Sequence, residues 1–253
     1  MNRFLTVPGL ALFATLPFLF QSTPKTAAAT TVAHWRFQNG VKGAVAHSTH
    51  LIEDSSGHDR HGTAIGGPTF RGVDLPESNL AMAFHGHDDR VFVPDDEAFH
   101  LTKNLTLEAY VQLHDYSDGL RQILFRGDDR GGFDPWFLGI LASGQLVFLV
   151  TDAQNRCAQV RSPEPIPRVF THVAGTLDHE TGELSVFVNG KKVATTKTKI
   201  RPCGALGGRN PGVGIGNVQR HSDQAFHGLI DEVRISSVAL DPQDMLPAPS
   251  SAR

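Results

Sequence analysis

Residues 184–195 have the sequence Leu-Ser-Val-Phe-Val-Asn-Gly-Lys-Lys-Val-Ala-Thr, and this stretch decides the fold class. Leu184, Val186 and Val188 alternate with other side chains, which is the period-two pattern of a strand with one buried face. Asn189-Gly190 follows, and both residues readily adopt the positive φ angles that a two-residue type I′ turn requires. The stretch therefore predicts an antiparallel β-hairpin that covers a core with one face.

The same alternation continues on both sides of this hairpin. Strands are predicted at Val32–Phe37, Ala81–His85, Arg90–Val93, Leu105–Leu113, Gln122–Phe125, Trp136–Leu141, Gln145–Val150, Cys157–Arg161, Phe170–Asp178, Glu183–Val188, Lys191–Thr196, Val213–Asn217 and Leu229–Ser236. No stretch has a sustained helical period, and Asp241–Met245 predicts a single helical turn that begins at Pro242. Many short strands in a chain of this length predict an all-β, two-sheet antiparallel jelly-roll sandwich.

The composition fits one domain of this kind. The chain has 253 residues, of which 40% are hydrophobic and 19% are charged, and this excludes a long disordered chain. Its 25 Gly, 15 Pro and 16 Phe against 3 Met favour turn-rich β structure. The net charge is −3 with Lys and Arg scattered along the chain, so neither nucleic acid nor an anionic membrane is the expected partner.

The first 29 residues have the layout of a secretory signal peptide. Residues 1–3 are a short basic start, residues 4–20 are almost wholly apolar, and Ala27 and Ala29 supply the small residues of a cleavage site. The alternative is an N-terminal membrane anchor, although Pro8 and Pro17 interrupt an apolar stretch that is already short for a span. We expect cleavage near Ala29, no membrane span in the mature form, and a secreted or cell-envelope location.

Two cysteines, Cys157 and Cys203, lie in the portion expected to be exported. An even number of cysteines in an oxidising compartment predicts one disulfide between them. Closing a loop of this length would stabilise the fold by about 4 kcal/mol on the chain-entropy model. The alternative is two buried thiols.

A set of short segments, taken in order, resembles a known domain family. The segments include Val32-Ala33-His34-Trp35-Arg36-Phe37, Asp54-Ser55-Ser56-Gly57, Leu105-Thr106-Leu107-Glu108-Ala109-Tyr110-Val111, Thr171-His172-Val173-Ala174-Gly175-Thr176 and Phe226-His227-Gly228-Leu229-Ile230-Asp231-Glu232-Val233-Arg234-Ile235. With the hairpin, they resemble the laminin G-like, concanavalin A-like lectin-glucanase jelly-roll domains of exported bacterial proteins. The chain is accordingly divided into a signal peptide (1–29), a laminin G-like jelly-roll domain (30–241) and a C-terminal tail (242–253).

The resemblance implies a structural calcium ion with Asp54, the Gly62 carbonyl and Asp231 as candidate ligands. Strand alternation places Asp231 on a mostly apolar face with Val233 and Ile235, where a carboxylate is costly unless it is paired, hydrogen-bonded or bound to metal. Calcium binds carboxylate and carbonyl oxygens of this kind. The alternative is that Asp54 caps an Asx turn and Asp231 accepts hydrogen bonds from backbone amides.

The strands do not carry the acidic pattern of a hydrolase. The glycoside hydrolases of this superfamily need two carboxylates across the scissile bond, supplied by a Glu-x-Asp-x-Glu strand that is absent from this sequence. Glu108 is the only acid in its strand, and the adjacent Asp231 and Glu232 are expected to face opposite ways. The sequence therefore predicts that the protein is not an enzyme.

The remaining hypothesis is a secreted, non-catalytic binding module that recognises a glycan or an extracellular protein. Residues 128–136 offer Arg130, Asp134 and Trp136 as ligand-binding candidates, and Tyr116 lies in another loop. The alternative for Trp136 is that it plugs the edge of the sandwich. The alternative functions are a structural or adhesive cell-surface module without a small-molecule ligand and, less favoured, a glycoside hydrolase.

Overall fold

Two antiparallel sheets of eight strands each pack face to face in the computed structural model, which describes residues 30–47, 49, 51–75, 78–116, 119–132, 134–218 and 224–249. The proposed signal peptide lies outside the described residues. The strands are β1 (Thr31–Trp35), β2 (Leu51–Ile52), β3 (Gly62–Ile65), β4 (Thr69–Leu75), β5 (Ser78–His85), β6 (Arg90–Pro94), β7 (Leu105–Leu113), β8 (Arg121–Gly127), β9 (Trp136–Ile140), β10 (Gln145–Thr151), β11 (Cys157–Pro165), β12 (Thr171–Leu177), β13 (Glu183–Val188), β14 (Lys191–Lys197), β15 (Gly212–Ile215) and β16 (His227–Ser236), with 3₁₀ turns at Glu97–Phe99 and Pro242–Asp244.

Each sheet mixes strands that are distant in sequence, as a jelly roll requires. Sheet I has the order β14-β13-β12-β7-β16-β5-β4, with β1 also paired to β16. Sheet II has the order β11-β10-β9-β8-β15-β6-β3-β2. The predicted all-β, two-sheet sandwich is confirmed.

Every predicted strand is present, and the hairpin at residues 184–195 has the expected turn. Asn189 and Gly190 have φ angles of 50° and 72°, as a type I′ turn requires. The sequence analysis missed β2, β3 and β4. These strands are short or lie at a sheet edge, where exposed residues and glycine replace the apolar alternation that marks an inner strand.

The core lies between the sheets, and one glycine sets how closely they approach. Gly175 of β12 faces Phe148 of β10, a fully buried ring in the opposite sheet. A Cβ atom at position 175 would lie 2.4 Å from Cγ of Phe148, so only a residue without a side chain fits here. Val173 and Leu177, on the same face of β12 as Gly175, are also fully buried in the core.

A β-bulge in β16 places Asp231 on a different sheet face from the one predicted from the sequence. Asp231 pairs with Tyr110 and Arg234 pairs with Glu108, so β16 has one more residue than β7 between these two pairs. The extra residue is Glu232, whose φ angle is 50°. Asp231 therefore lies with Tyr110 on the outer face of sheet I, which points away from sheet II, and not on the apolar face predicted from simple alternation.

The chain continues past the predicted end of the domain and covers part of this outer face. The C-terminal segment, residues 238–247, packs Leu240 and Met245 against Ala174 of β12 and Phe187 of β13. Residues 242–247, assigned to a tail in the sequence analysis, thus contact the sheet in the structure.

The connections on either side of β9 lie at opposite ends of the sandwich. The β8–β9 end carries residues 128–132 and the connection 198–211, because β15 begins opposite the end of β8. The β9–β10 end carries residues 141–144 and 166–170, since the Ile166 amide donates a hydrogen bond to the Gly144 carbonyl at 2.9 Å. A site built from both sets of residues would have to span the length of β9.

We expect Gly175→Ala to lower the free energy of unfolding by about 1 to 3 kcal/mol, because the added methyl group overpacks the contact with Phe148. Urea denaturation measures the change. Gly131→Ala is the matched control, since a Cβ atom there meets no atom within 4 Å. Equal stabilities of the two variants would contradict the close approach of the sheets at Gly175.

Candidate binding site on the outer face of sheet I

Trp136, the predicted ligand platform, is a core residue. Its side chain is fully buried in the cluster between the sheets, and its Nε1 donates to the Phe99 carbonyl at 3.4 Å. A buried indole cannot stack on a ligand, so the ligand-binding prediction for Trp136 is wrong. The alternative, in which Trp136 plugs the sandwich, describes its position.

Of the other three predicted ligand residues, Arg130 and Asp134 lie near the same acid, Asp128, whereas Tyr116 lies at the opposite end of the sandwich. Arg130 is held by Asp128, with its Nη2 2.6 Å from Oδ2 of that carboxylate. Asp134 is partly buried, and burial followed by the charge of Asp128 raises its pKa to about 6. Tyr116 is at the β9–β10 end, where its hydroxyl donates to the Ile166 carbonyl at 2.9 Å. No single ligand-sized site contains all of these side chains.

Asp54, the first predicted calcium ligand, already has its acceptor positions filled. Oδ1 accepts hydrogen bonds from the backbone amides of His34 and Ser56, and Oδ2 accepts from the Ser56 hydroxyl and the Arg60 amide. Burial alone would raise the pKa of Asp54, but these hydrogen bonds outweigh it and lower the pKa. A carboxylate has about four lone-pair positions, so this donor set leaves none for a cation.

The other predicted calcium ligands do not complete a site with Asp54. Gly62 lies in β3 opposite Ile52, and Oδ1 of Asp231 accepts from the Glu232 amide at 2.8 Å. Among the described residues there is no group of three or more His, Cys, Asp or Glu side chains that could hold a metal ion. These contacts match the turn-capping alternative, and calcium binding itself stays an untested prediction.

The predicted disulfide is not formed, and the strand register explains why. Cys157 and Cys203 are free thiols. Thr151 pairs with Cys157 across β10 and β11, whereas its amide and carbonyl bond to Pro135 and Cys203 on the β9 side. The cysteines therefore flank Thr151 on opposite sides, about 10 Å apart at two strand spacings. A disulfide needs Cα atoms within about 4.4 to 6.8 Å.

A buried carboxylate on the outer face of sheet I ties four parts of the chain together. Oε1 of Glu108 in β7 accepts from Nε of Arg234 in β16 at 2.7 Å. Oε2 lies 2.9 Å from Nε2 of His172 in β12 and accepts from the Leu246 amide of the C-terminal segment at 2.8 Å. All three side chains are buried or nearly so. We call Glu108, His172 and Arg234 the outer network.

The outer network holds Glu108 as an ionised carboxylate. Burial would raise the pKa of Glu108, but His172, Arg234 and the Leu246 amide outweigh it and lower the pKa. The carboxylate is thus ionised at neutral pH, and its oxygens already have hydrogen-bond partners from the protein. His172 was missed in the sequence analysis, although it pairs with Tyr110 two residues from Glu108.

The part of the outer face that the C-terminal segment leaves open contains a groove of about 380 Å³. We call it the outer groove; it is lined by Lys42, Arg71, Gly72, Gln112, His114 and Leu229. Gln112 and Leu229 are paired across β7 and β16, which places an amide beside an apolar side chain. The volume lies within the range of about 300 to 1,000 Å³ that small-molecule sites have.

Histidines border the outer groove at one side. The rings of His114 and His227 meet edge to face with centroids 5.0 Å apart, and Nδ1 of His227 lies 2.9 Å from Oδ2 of Asp115. Partial burial, then the neighbouring His227, lowers the pKa of His114, and Arg71 adds to this effect. His114 is therefore neutral at neutral pH and offers a ring N–H as a hydrogen-bond donor.

Sequence reasoning could not find this groove from local motifs. Lys42 comes from the connection after β1, Arg71 from the unpredicted β4, Gln112 from β7 and Leu229 from β16. Gln112 gave no distinctive signal, because the other outward positions of β7 also carry residues with polar groups, Thr106, Glu108 and Tyr110.

Residues 85–245, more than half of the chain, match the family model described as the concanavalin A-like lectin/glucanases superfamily. The chain belongs to this superfamily. The resemblance seen in the sequence is thereby confirmed. The match contains the outer network and, of the outer groove, Gln112, His114 and Leu229. No curated protein matches the chain in sequence. Within the described residues, no helix is long and apolar enough to cross a membrane.

Solved structures with the same fold include toxin binding domains. The binding domain of Paraclostridial Mosquitocidal Protein 1 has a TM-score of 0.64 and 14% identity over 86% of this chain and 51% of its own. The binding domain of botulinum neurotoxin DC in complex with SialylT has a TM-score of 0.61 and 15% identity over 86% of this chain and 50% of its own. The chain thus spans about half the length of these domains, and at such identities the likeness shows the fold alone.

A shorter protein with a similar structure is the CBM40 module of a Ruminococcus gnavus IT-sialidase, bound to α2,6 sialyllactose. It has a TM-score of 0.50 and 17% identity, and the match covers 58% of this chain and 82% of the module. By their own descriptions, two of these three structures are toxin binding domains and the third is a module bound to sialyllactose.

We expect Asp54→Asn to lower the melting temperature, because an amide nitrogen would face donors that now bond to a carboxylate oxygen. Leaving buried donors unsatisfied costs about 1 to 3 kcal/mol, and each kcal/mol lowers the melting temperature by about 2 to 4 °C in a domain of this size. Asp59→Asn in the same loop is the matched control, because the Asp59 side chain is 92% exposed. Chelation should leave the parent melting curve unchanged; a decrease that calcium reverses would support the metal prediction instead.

We expect Glu108→Gln to lower the free energy of unfolding by about 3 to 5 kcal/mol at neutral pH, because it leaves Arg234 buried without its charge partner. The folded pKa of Glu108 is lowered, so its contribution is present above its ordinary value of 4.5 and is lost as the pH falls through the folded value. Urea denaturation across this range should show the difference between parent and variant shrinking in acid.

Glu183→Gln is the control for this series, because Glu183 forms a partly exposed ion pair with Lys192. Its effect should stay below about 1 kcal/mol at every pH. A Glu108→Gln variant as stable as this control would mean that the outer network does not hold the fold together.

Proposed function

We propose that this protein is a non-catalytic binding module that acts outside the cytoplasm and binds a glycan in the outer groove. The observation that carries the proposal is the grouping of hydrogen-bonding side chains around one apolar residue in the open part of sheet I. Gln112 and His114 offer an amide and a ring N–H, and the partly exposed Leu229 offers an apolar surface. A sugar presents hydroxyl groups and an apolar face to such a site.

The state of the buried acid on the same sheet face as the groove supports a non-catalytic role. A glycoside hydrolase needs one carboxylic acid that donates a proton and a second carboxylate on the other side of the bond. Glu108 lies on the same sheet face as the groove, but its carboxylate is ionised and occupied by Arg234 and His172. It has no proton to donate and no free position for a substrate.

The likeness to binding domains supports a glycan as the ligand class. The botulinum neurotoxin DC domain is described in complex with SialylT, and the CBM40 module with sialyllactose. An extracellular protein is the second candidate, because the same neurotoxin domain is also described in complex with rat synaptotagmin II. The extracytoplasmic location is supported by the signal-peptide pattern of residues 1–29.

A glycan array probed with the labelled protein tests the proposal. We expect binding to a subset of glycans, and loss of that binding in Gln112→Ala/His114→Ala. The control is Gln159→Ala/His58→Ala, which removes the same side-chain types at exposed positions outside the groove. Sugar release from a polysaccharide panel would establish a hydrolase instead, and an empty array with capture of an extracellular protein would support the second candidate.

A further inference from the structure

We propose that the outer groove selects glycans that carry an anionic group, a carboxylate or a sulfate, and that Lys42 and Arg71 bind this group. The inference rests on the proposed function and adds the chemical class of the ligand.

Among the residues that the structure describes, the two cations of the groove have no ion-pair partners. Lys42 and Arg71 are exposed, and neither forms an ion pair with another described residue. Elsewhere on this sheet face, cations are neutralised: Arg234 binds Glu108, and Arg36 binds Glu232. The groove is thus the part of the outer face where positive charge is left for a ligand.

Two of the described acids near the groove form ion pairs with histidines. Asp115 pairs with His227, and Asp89 pairs with His85. Asp74 lies on the far side of Lys42, where it lines a wider recess of about 820 Å³ and not the outer groove. An anionic group between Lys42 and Arg71 therefore meets two cations and no carboxylate lining the same groove.

Gly72 allows Lys42 to lie across the groove. A Cβ atom at position 72 would be 2.6 Å from Cε of Lys42, so the lysine stem rests on the glycine backbone. Lys42 thereby borders both the outer groove and the wider recess. This position suits an oligosaccharide whose anionic residue lies in the groove while a neighbouring sugar extends into the recess.

The neutral state of His114 favours this division of roles. Arg71 is close enough to contribute to the lowered pKa of His114, so the ring does not add a third charge at neutral pH. Lys42 and Arg71 supply the charge, and His114 and Gln112 supply hydrogen bonds to the hydroxyl groups of the same sugar. Hydrogen bonds to a charged group contribute about 1.5 to 3 kcal/mol each. This is enough for the groove to bind an anionic sugar more tightly than the same sugar without the anionic group.

Titration calorimetry with three related ligands tests the proposal: sialyllactose, sulfated lactose and lactose. We expect an acidic ligand to bind about tenfold or more tightly than lactose, with an affinity that falls as salt is added. The Lys42→Gln/Arg71→Gln variant should lose this preference. The control Arg161→Gln/Lys199→Gln removes the same charge from exposed positions outside the groove and should keep it.

The outcomes separate this inference from the proposed function. Equal binding of all three ligands would overturn the anionic preference and leave glycan binding intact, whereas an empty glycan array would overturn both. A preference that survives in Lys42→Gln/Arg71→Gln would place the anion elsewhere and overturn the inference. Binding of sialyllactose alone or of sulfated lactose alone would support it and identify the anion. Unchanged melting temperatures would show that the variants are folded.

Discussion

The burial of Glu108 is the constraint on which the outer face of sheet I depends. An ionised carboxylate on a covered sheet face is tolerated only when its lone pairs have donors. Those donors come from β12, β16 and the C-terminal segment, through His172, Arg234 and the Leu246 amide. Tyr110 of β7 makes a second contact with the C-terminal segment, because its hydroxyl donates a hydrogen bond to the Pro247 carbonyl at 2.7 Å. The position of this one acid thus determines which part of the sheet is covered and which part remains open.

The fold was accessible from sequence because its strongest signals are local. Alternation over five to nine residues and the Asn189-Gly190 turn need no knowledge of distant partners. The bulge at Glu232 was not accessible in this way. It inserts one residue where the pattern of Gly228–Ile235 continues to alternate, so every face assignment is shifted on one side of it. Asp231 was therefore placed on the wrong face, although it is buried as expected, and calcium binding there stays a prediction.

The candidate site was harder to predict than the fold, for a geometric reason. Residues 128–136 contain aromatic and charged residues next to one another, but Trp136 is the first residue of a core strand and points between the sheets. Adjacency in sequence gives no information about the direction of a side chain at a strand boundary. The outer groove has the opposite character, since Lys42, Arg71, Gln112 and Leu229 are far apart in sequence and meet only through the sheet order.

The outer face separates its charges according to exposure. Where the C-terminal segment covers the sheet, Glu108 and Arg234 are paired; where the sheet is open, Lys42 and Arg71 have no acidic partner among the described residues. An exposed cation costs little because water solvates it, whereas a buried one requires a partner. The stability of the fold therefore depends on Glu108 and Arg234 but not on Lys42 and Arg71. Residues that the fold does not require are free to serve recognition, and this is the physical reason for seeking the ligand at the open end of the sheet.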